Sequence, residues 1–281
     1  MTKTGNKRQL DKDLQRLIAG AIAEVDPEQM AISRRLSPAQ RFQQGYSMTR
    51  LAEQVAAYRR HQRQTQPKAG ETNQLIREKE TVEMSEPSME FGDFMRLVLE
   101  ALEATGVEYL IGGAVAVWAW GEARTTRDFD VVVNVPFERI VSLSQELEKR
   151  DMLVPVEVIL DLLTKSEGDL PINAIHLSTG YKAELFLLRP GDTYRETALA
   201  RRRLVDLGPP LGEVYVHAPE DLILNKLRYF SLSQQPKHTR DIASILLTLE
   251  NELDQDYIER WSAHFGLTTL WQEVRSQALN K

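Results

Sequence analysis

The sequence predicts an α+β protein: a head of short strands interleaved with helices, a helical module before it and an all-helical part after it. Three observations predict it. Apolar runs of strand length, bounded by Gly, Pro, Ser and Thr, fall between positions 107 and 217. Apolar residues at helical spacing dominate on both sides of that interval. Within it, the stretch Y-L-I-G-G-A-V-A-V-W-A-W-G-E-A-R-T-T-R-D-F-D-V-V-V, Tyr109 to Val133, sets a glycine pair at the exit of one strand and two aspartates at the entry of the next.

The elements follow in order. Leu10, Leu14, Leu17, Ile18 and Ile22 recur at helical spacing. Ser37-Pro38 supplies a capping side chain and a first-turn proline. From there Phe42, Tyr46, Met48, Leu51, Val55 and Tyr58 mark a long amphipathic helix to about Arg63. We take 1–63 as a helical N-terminal module and 64–88, polar with a proline near each end, as a linker holding one short helix. The head spans 89–217. It opens with a helix over 92–105, carrying Phe94, Leu97, Val98 and Leu102 and ended by Gly106. A strand over 107–111, a helix over 113–120 and a strand over 127–135, stopped by Pro136, come next. Helices are expected over 137–150, with Ile140, Leu143 and Leu147 on one side, and over 156–165. Runs 172–177 and 181–188, split by Ser178-Thr179-Gly180, read as a hairpin. A helix over 193–204 and a strand over 214–217 complete the head. Helices near 219–231, 237–250, 255–264 and 267–279 form the C-terminal part, 218–281, packed on the head.

Composition narrows the function. With 42% hydrophobic and 27% charged residues the chain is globular in type. It has no cysteine, which excludes disulfides, thiolate metal sites and cysteine nucleophiles and fits a reducing compartment. The longest uncharged run, Tyr109 to Gly121, is shorter than the ~20 residues a membrane span needs. The N-terminus lacks a signal-peptide core, so the protein is expected to be cytoplasmic. The net charge of −6 is uneven: residues 1–90 carry 15 Lys and Arg against 12 Asp and Glu, and residues 91–281 carry 20 against 29. A net-negative head does not advertise strong sequence-independent nucleic-acid binding. Arg201-Arg202-Arg203 is either an exposed helix end or a phosphate contact.

Asp-x-Asp occurs three times, at Asp11/Asp13, Asp128/Asp130 and Asp254/Asp256. The first and third read as helix-start acids. Only Asp128/Asp130 is followed by a β-rich run, Val131 to Val133, and preceded by Gly112-Gly113. Alternation along a strand puts Asp128 and Asp130 on one face, and paired glycines let backbone amides approach a phosphate closely. Two carboxylates facing a phosphate cradle suit Mg²⁺-dependent phosphoryl or nucleotidyl transfer. Glu184, on the face opposite Leu185 and Leu187, is a third acid. It either joins the pair or forms a salt bridge with Lys182.

Gly-Gly, then R-x-T-x-D-x-D, then a later strand with one acid resembles the DNA polymerase β-like nucleotidyltransferase superfamily, in particular its bacterial minimal and AbiEii-type (abortive-infection, toxin–antitoxin) members. Gly112, Gly113, Arg124, Thr126, Asp128, Asp130 and Glu184 carry the match. A second block, A-P-E-D-L-I-L-N-K-L and then H-T-R-D-I-A-S-I-L, resembles the helical stretch of these enzymes and brings in Glu220, Asp221, Lys226, Arg240 and Asp241. The resemblance covers about 90–250. One departure is the 14 residues between Gly113 and Asp128, long for the superfamily.

The resemblance implies a mixed sheet flanked by helices and a metal-dependent transfer of NMP from an NTP to a hydroxyl of an RNA, a protein or a small molecule. It implies two Mg²⁺ ions held by Asp128, Asp130 and Glu184, and a triphosphate held by the amides of Gly112 and Gly113. Arg124 or Arg127 offsets triphosphate charge, and Lys226 does so as a point charge, or else pairs with Asp221 or Asp241. Thr126 is expected to order the loop, Arg240 and Asp241 to pair with each other, and Trp118 and Trp120 to lie in the core. His217 and His238 lack metal-ligand spacing. L-S-P-A-Q-R-F-Q-Q-G-Y-S-M-T-R-L-A resembles small helical proteins encoded beside such enzymes, here fused. That points to a toxin-like or defence role, with an antitoxin or other partner protein. The alternatives are a non-catalytic member that binds nucleotide or a partner, and an antibiotic-modifying transferase.

Overall fold

A computed structural model describes residues 3–65, 89–164 and 169–280. The linker expected at 64–88 lies, from residue 66 on, outside the described residues.

The chain is α+β. Three helices, α1 (Lys3–Ala23), α2 (Pro27–Arg35) and α3 (Pro38–Thr65), precede the head. The head runs α4 (Phe91–Ala104), β1 (Glu108–Ile111), α5 (Gly113–Trp120), β2 (Asp128–Asn134), a 3₁₀ turn at Phe137–Arg139, α6 (Ile140–Glu148), α7 (Val156–Thr164), β3 (Ile172–Ile175), β4 (Lys182–Leu187), α8 (Thr193–Ala200), β5 (Arg203–Asp206) and β6 (Glu213–Val216). Helices α9 (Pro219–Ser233), α10 (Pro236–Leu249), α11 (Gln255–His264) and α12 (Thr268–Leu279) close the chain.

The sheet is mixed, in the order β3-β4-β2-β1-β6-β5. β1 runs antiparallel to β2 and parallel to β6, and β2 runs parallel to β4 with Asp128 opposite Lys182 and Asp130 opposite Glu184. The hairpin expected from Ser178-Thr179-Gly180 is present as β3 and β4. Period-two alternation then sorts the side chains. Phe129, Val131 and Val133 of β2 and Ala183, Leu185 and Leu187 of β4 face a core closed by α4, α6 and α7. Asp128, Asp130, Lys182 and Glu184 fall on the other face.

Helix α5 explains why the site sits where it does. Its sequence, GAVAVWAW, has no polar side, and a helix apolar all round is buried all round. Val115, Trp118 and Ala119 join the core under the sheet. Ala116 and Val117 join a second core built from α1, α2 and α9 to α12. The N-terminal helices contribute to both: Phe42 packs edge-on to Trp118 at 5.5 Å, and Ile18, Ile22, Val25 and Met30 join the second. Buried Arg41 donates from Nε (3.1 Å) and Nη2 (2.6 Å) to the carbonyl of Ala119, and from Nη1 to those of Ser33 and Leu36. One side chain thus satisfies the open carbonyl ends of two helices.

Two expectations change, and one is filled in. The helix expected over 193–204 stops at Ala200, because Arg203–Asp206 pairs antiparallel with β6 as an edge strand. That strand is mostly exposed on both faces, so no alternation betrays it. Arg201 and Arg202 close α8, as the helix-end reading expects: Arg201 is its C-cap and Arg202 donates to the Leu199 carbonyl. Arg201 pairs with Glu220 and Asp221 over the Tyr257 ring, and Arg202 pairs with Glu108 over Tyr215. Asp254 does cap α11, accepting from the Tyr257 amide, whereas Asp11 and Asp13 lie inside α1 rather than at its start.

Gly45 of α3 lies so near Trp118 that a Cβ would fall 2.4 Å from the ring, while Gly20 of α1 has nothing within 4 Å. Gly45→Ala is expected to destabilise by about 1–3 kcal/mol through overpacking. Gly20→Ala is expected to stabilise by up to about 1 kcal/mol through helix propensity. Urea unfolding of both variants checks the opposite signs.

Candidate active site

A cleft of about 620 Å³ opens on the polar face of the sheet. β2 and β4 give its floor, the β1–α5 turn one side, and α9 with the start of α10 the opposite wall. Gly112, Gly113, Arg124, Thr126, Asp128, Asp130, Glu184 and Lys226 all line it. Arg127 does not: it lines the neighbouring groove and meets Glu53 of α3 at 3.5 Å.

The turn fixes the floor. Gly113 has φ +56, a conformation open to glycine at little cost. A Cβ on it would fall 1.7 Å from Asp130 Oδ2, so the Asp130 carboxylate occupies the space that any side chain would need. The Gly112 amide donates to the Asp130 carbonyl (2.8 Å). This corrects the expectation that both glycine amides serve a phosphate, because that of Gly112 is committed to the strand. The amides of Gly113, Ala114 and Val115 open α5 and have no acceptor within the helix, which directs donors and the positive dipole end into the cleft.

Burial, Glu184 and Asp128 together raise the Asp130 pKa to about 6 against an opposing pull from Lys226. Lys182 Nζ hydrogen-bonds Glu184 Oε1 and stands 3.8 Å from Asp128 Oδ1. Glu184 therefore shares a face with the aspartates and also makes the salt bridge. Among the described residues no three Asp, Glu, His or Cys side chains close a metal cage by themselves. The donor set, hard carboxylate oxygens on two adjacent strands, fits Mg²⁺ in kind.

The opposite wall is cationic. Asp241 accepts from Arg124 Nε (2.9 Å) and Nη2 (3.2 Å) and from Lys226 Nζ (2.7 Å). Burial acts to raise the Asp241 pKa, but Lys226 and Arg124 outweigh it and hold it at about 2. Two cations on one carboxylate leave a net positive charge facing the acidic floor. Arg240 is not paired with Asp241. It reaches Glu122 and Glu24, so the neighbours dock α10 separately. Thr126 orders the loop before β2: its hydroxyl accepts from the Asp128 amide, and its own amide donates to Thr49 Oγ1 of α3. Trp118 and Trp120 are structural, donating to the carbonyls of Arg124 and His217.

Several lining residues escape the sequence reading. Leu222, Asn225, Tyr229 and Ser233 form one stripe of α9 with the expected Lys226, a spacing legible once that helix is drawn. Asn173 joins the floor because β3 pairs it with Glu184. His217, at the end of β6, lines the cleft with both ring nitrogens buried and unpartnered among protein atoms, and burial pulls its pKa down to about 3. Among the described residues no helix is long and apolar enough to cross a membrane.

No protein-family model matches the chain, and no curated protein matches it. Solved structures share its outline at a distance. The solution structure of the antibiotic-resistance factor ANT(2'')-Ia is 20% identical, with a TM-score of 0.42 over 63% of this chain and 91% of that one. Its crystal structure with adenylyl-2''-tobramycin is 19% identical, with a TM-score of 0.41 over 61% and 94%. An antigenic nucleotidyltransferase-like protein from Paracoccidioides brasiliensis is 18% identical, with a TM-score of 0.41 over 68% and 93%. Likeness of this degree transfers neither activity nor substrate.

Asp241→Asn leaves Lys226 and Arg124 without their shared anion and is expected to cost about 3–5 kcal/mol near neutral pH. The Asp241 pKa is depressed on folding, so its contribution is present above about pH 4 and is lost as pH falls through about 2. The gap between wild type and D241N should narrow by about 2 kcal/mol across that window. Unfolding free energies measured from pH 7 to 2 check it.

Proposed function

We propose that this chain is a nucleotidyltransferase that moves a nucleoside monophosphate from an NTP to a hydroxyl acceptor with the help of divalent cations. One observation carries the reading: Asp128, Asp130 and Glu184 share one face of paired parallel strands, beside a glycine turn that opens a helix and opposite a cationic wall. A sheet that only bound nucleotide would gain nothing from three adjacent carboxylates, which repel one another and the phosphates.

Each group then has a task. The amides of Gly113, Ala114 and Val115 receive phosphate oxygens at the helix start. Lys226 and Arg124, anchored by Asp241, offset triphosphate charge from the other wall. Asp128, Asp130 and Glu184 would hold Mg²⁺, which when bound neutralises phosphate charge and makes an acceptor hydroxyl more acidic. In-line attack of that hydroxyl on the α-phosphorus releases pyrophosphate. Gly113, by bringing Asp130 against the helix start, sets the spacing between acids and phosphates. We place the chain with the AbiEii-type enzymes on its two motif blocks; the meeting of Arg124 from the first with Lys226 and Asp241 from the second supports this.

Incubation with each labelled NTP, Mg²⁺ and a cell extract should label one acceptor. Asp128→Ala and Asp130→Ala should each lower labelling by more than ~100-fold, beyond what loss of a supporting partner alone costs, with unfolding curves little changed. Full activity in either variant rejects the site. Glu184→Gln should lower kcat more than it raises KM for the NTP; a pure KM effect would reassign Glu184 to binding.

A further inference from the structure

The Lys182 ammonium is where the proposed function does not need it. It lies on β4 directly across from Asp128, hydrogen-bonds Glu184 and sits within 3.8 Å of Asp128, on the face that carries Asp130. A lysine ammonium is a cation near neutral pH, and here it lies between two carboxylates. The position is one in which the three carboxylates would otherwise repel one another.

Lys182 also belongs to a second cavity. That groove, between α3 and the β3–β4 turn, is lined by Glu53, Glu90, Asp128, Tyr181 and Lys182. Asp128 and Lys182 are the residues it shares with the first cleft. A lysine carries its charge on a flexible four-carbon stem with rotatable donors. Its side chain is about a third exposed, so nothing encloses it. The ammonium can therefore leave the carboxylates by turning toward the neighbouring groove, whose Glu53 and Glu90 are already paired with Arg127 and Arg50.

We propose that Lys182 is a built-in counter-cation that holds Asp128 and Glu184 together until a divalent ion displaces it. It is a positioning residue that competes with the metal for the same two carboxylates. This rests on the metal site proposed above. It predicts that the metal-free site is prearranged and that metal affinity is set below what the carboxylates alone would give.

The test is Mn²⁺ binding to the full-length protein without nucleotide, followed by electron paramagnetic resonance and calorimetry, with Mg²⁺-induced shifts in melting temperature as an independent readout. Lys182→Met should bind Mn²⁺ ~10-fold or more tighter than wild type, the scale on which groups beside ligands tune metal affinity. Its melting temperature should rise further on adding Mg²⁺, as tighter binding requires. Lys182→Arg, which keeps the charge, should stay near wild type, and Lys182→Gln serves if the methionine variant does not fold. Lys237→Met removes another cation of the cleft wall. An equal gain in that variant would show a general field effect and overturn the proposal, as would unchanged affinity in K182M and K182Q. Asp128→Asn separates the two ideas: if it leaves Mn²⁺ binding intact, the carboxylate site itself fails and the lysine's role with it. If it abolishes binding while K182M and K182Q match wild type, only the lysine's role fails.

Discussion

The approach of the Asp130 carboxylate to the backbone of Gly113 constrains everything around the cleft, because it is a contact that only a residue without Cβ allows. It ties strand β2 to the start of α5 at the same point where the Gly112 amide bonds the Asp130 carbonyl. The helix start and the acidic floor are therefore one rigid unit. Backbone donors and carboxylates are set side by side by local backbone geometry. The rest of the fold keeps that unit in place: the sheet through the register of β2 with β4, and the helical layers through burial of α5.

The electrostatics of the cleft divide along the same line. The floor carries more acid than its one lysine offsets, and the opposite wall carries more base than Asp241 offsets. Each side is partly neutralised by a single opposite charge, which limits repulsion while leaving a dipole across the opening. The nucleoside triphosphate and divalent ion proposed above would carry both signs of charge a few ångströms apart, as such a gradient favours.

Much of this was legible in the sequence, and the boundary is physical. Elements with strong period or strong punctuation were readable: the apolar α5, the β2 run stopped by Pro136, the hairpin around Gly180, and the four C-terminal helices. The shared face of Asp128, Asp130 and Glu184 followed from alternation, once the two strands were taken as neighbours. What stayed hidden depends on partners far along the chain. β5 is an exposed edge strand defined by its pairing, not by its pattern. Arg127 was indistinguishable from Arg124 by spacing, yet one bonds Asp241 and the other Glu53. The loss of the Gly112 amide to the Asp130 carbonyl is likewise a fact of the β1–β2 arrangement.

The double burial of α5 has a consequence for how this protein can vary. The helix is a party wall: Val115, Trp118 and Ala119 belong to one interior, and Ala116 and Val117 to the other. A bulkier residue at any of these positions cannot be absorbed by one compartment alone, since the displaced wall presses on the other. The two interiors are thus obliged to drift together, and their shared tolerance is set by the narrow helix that carries the glycine turn.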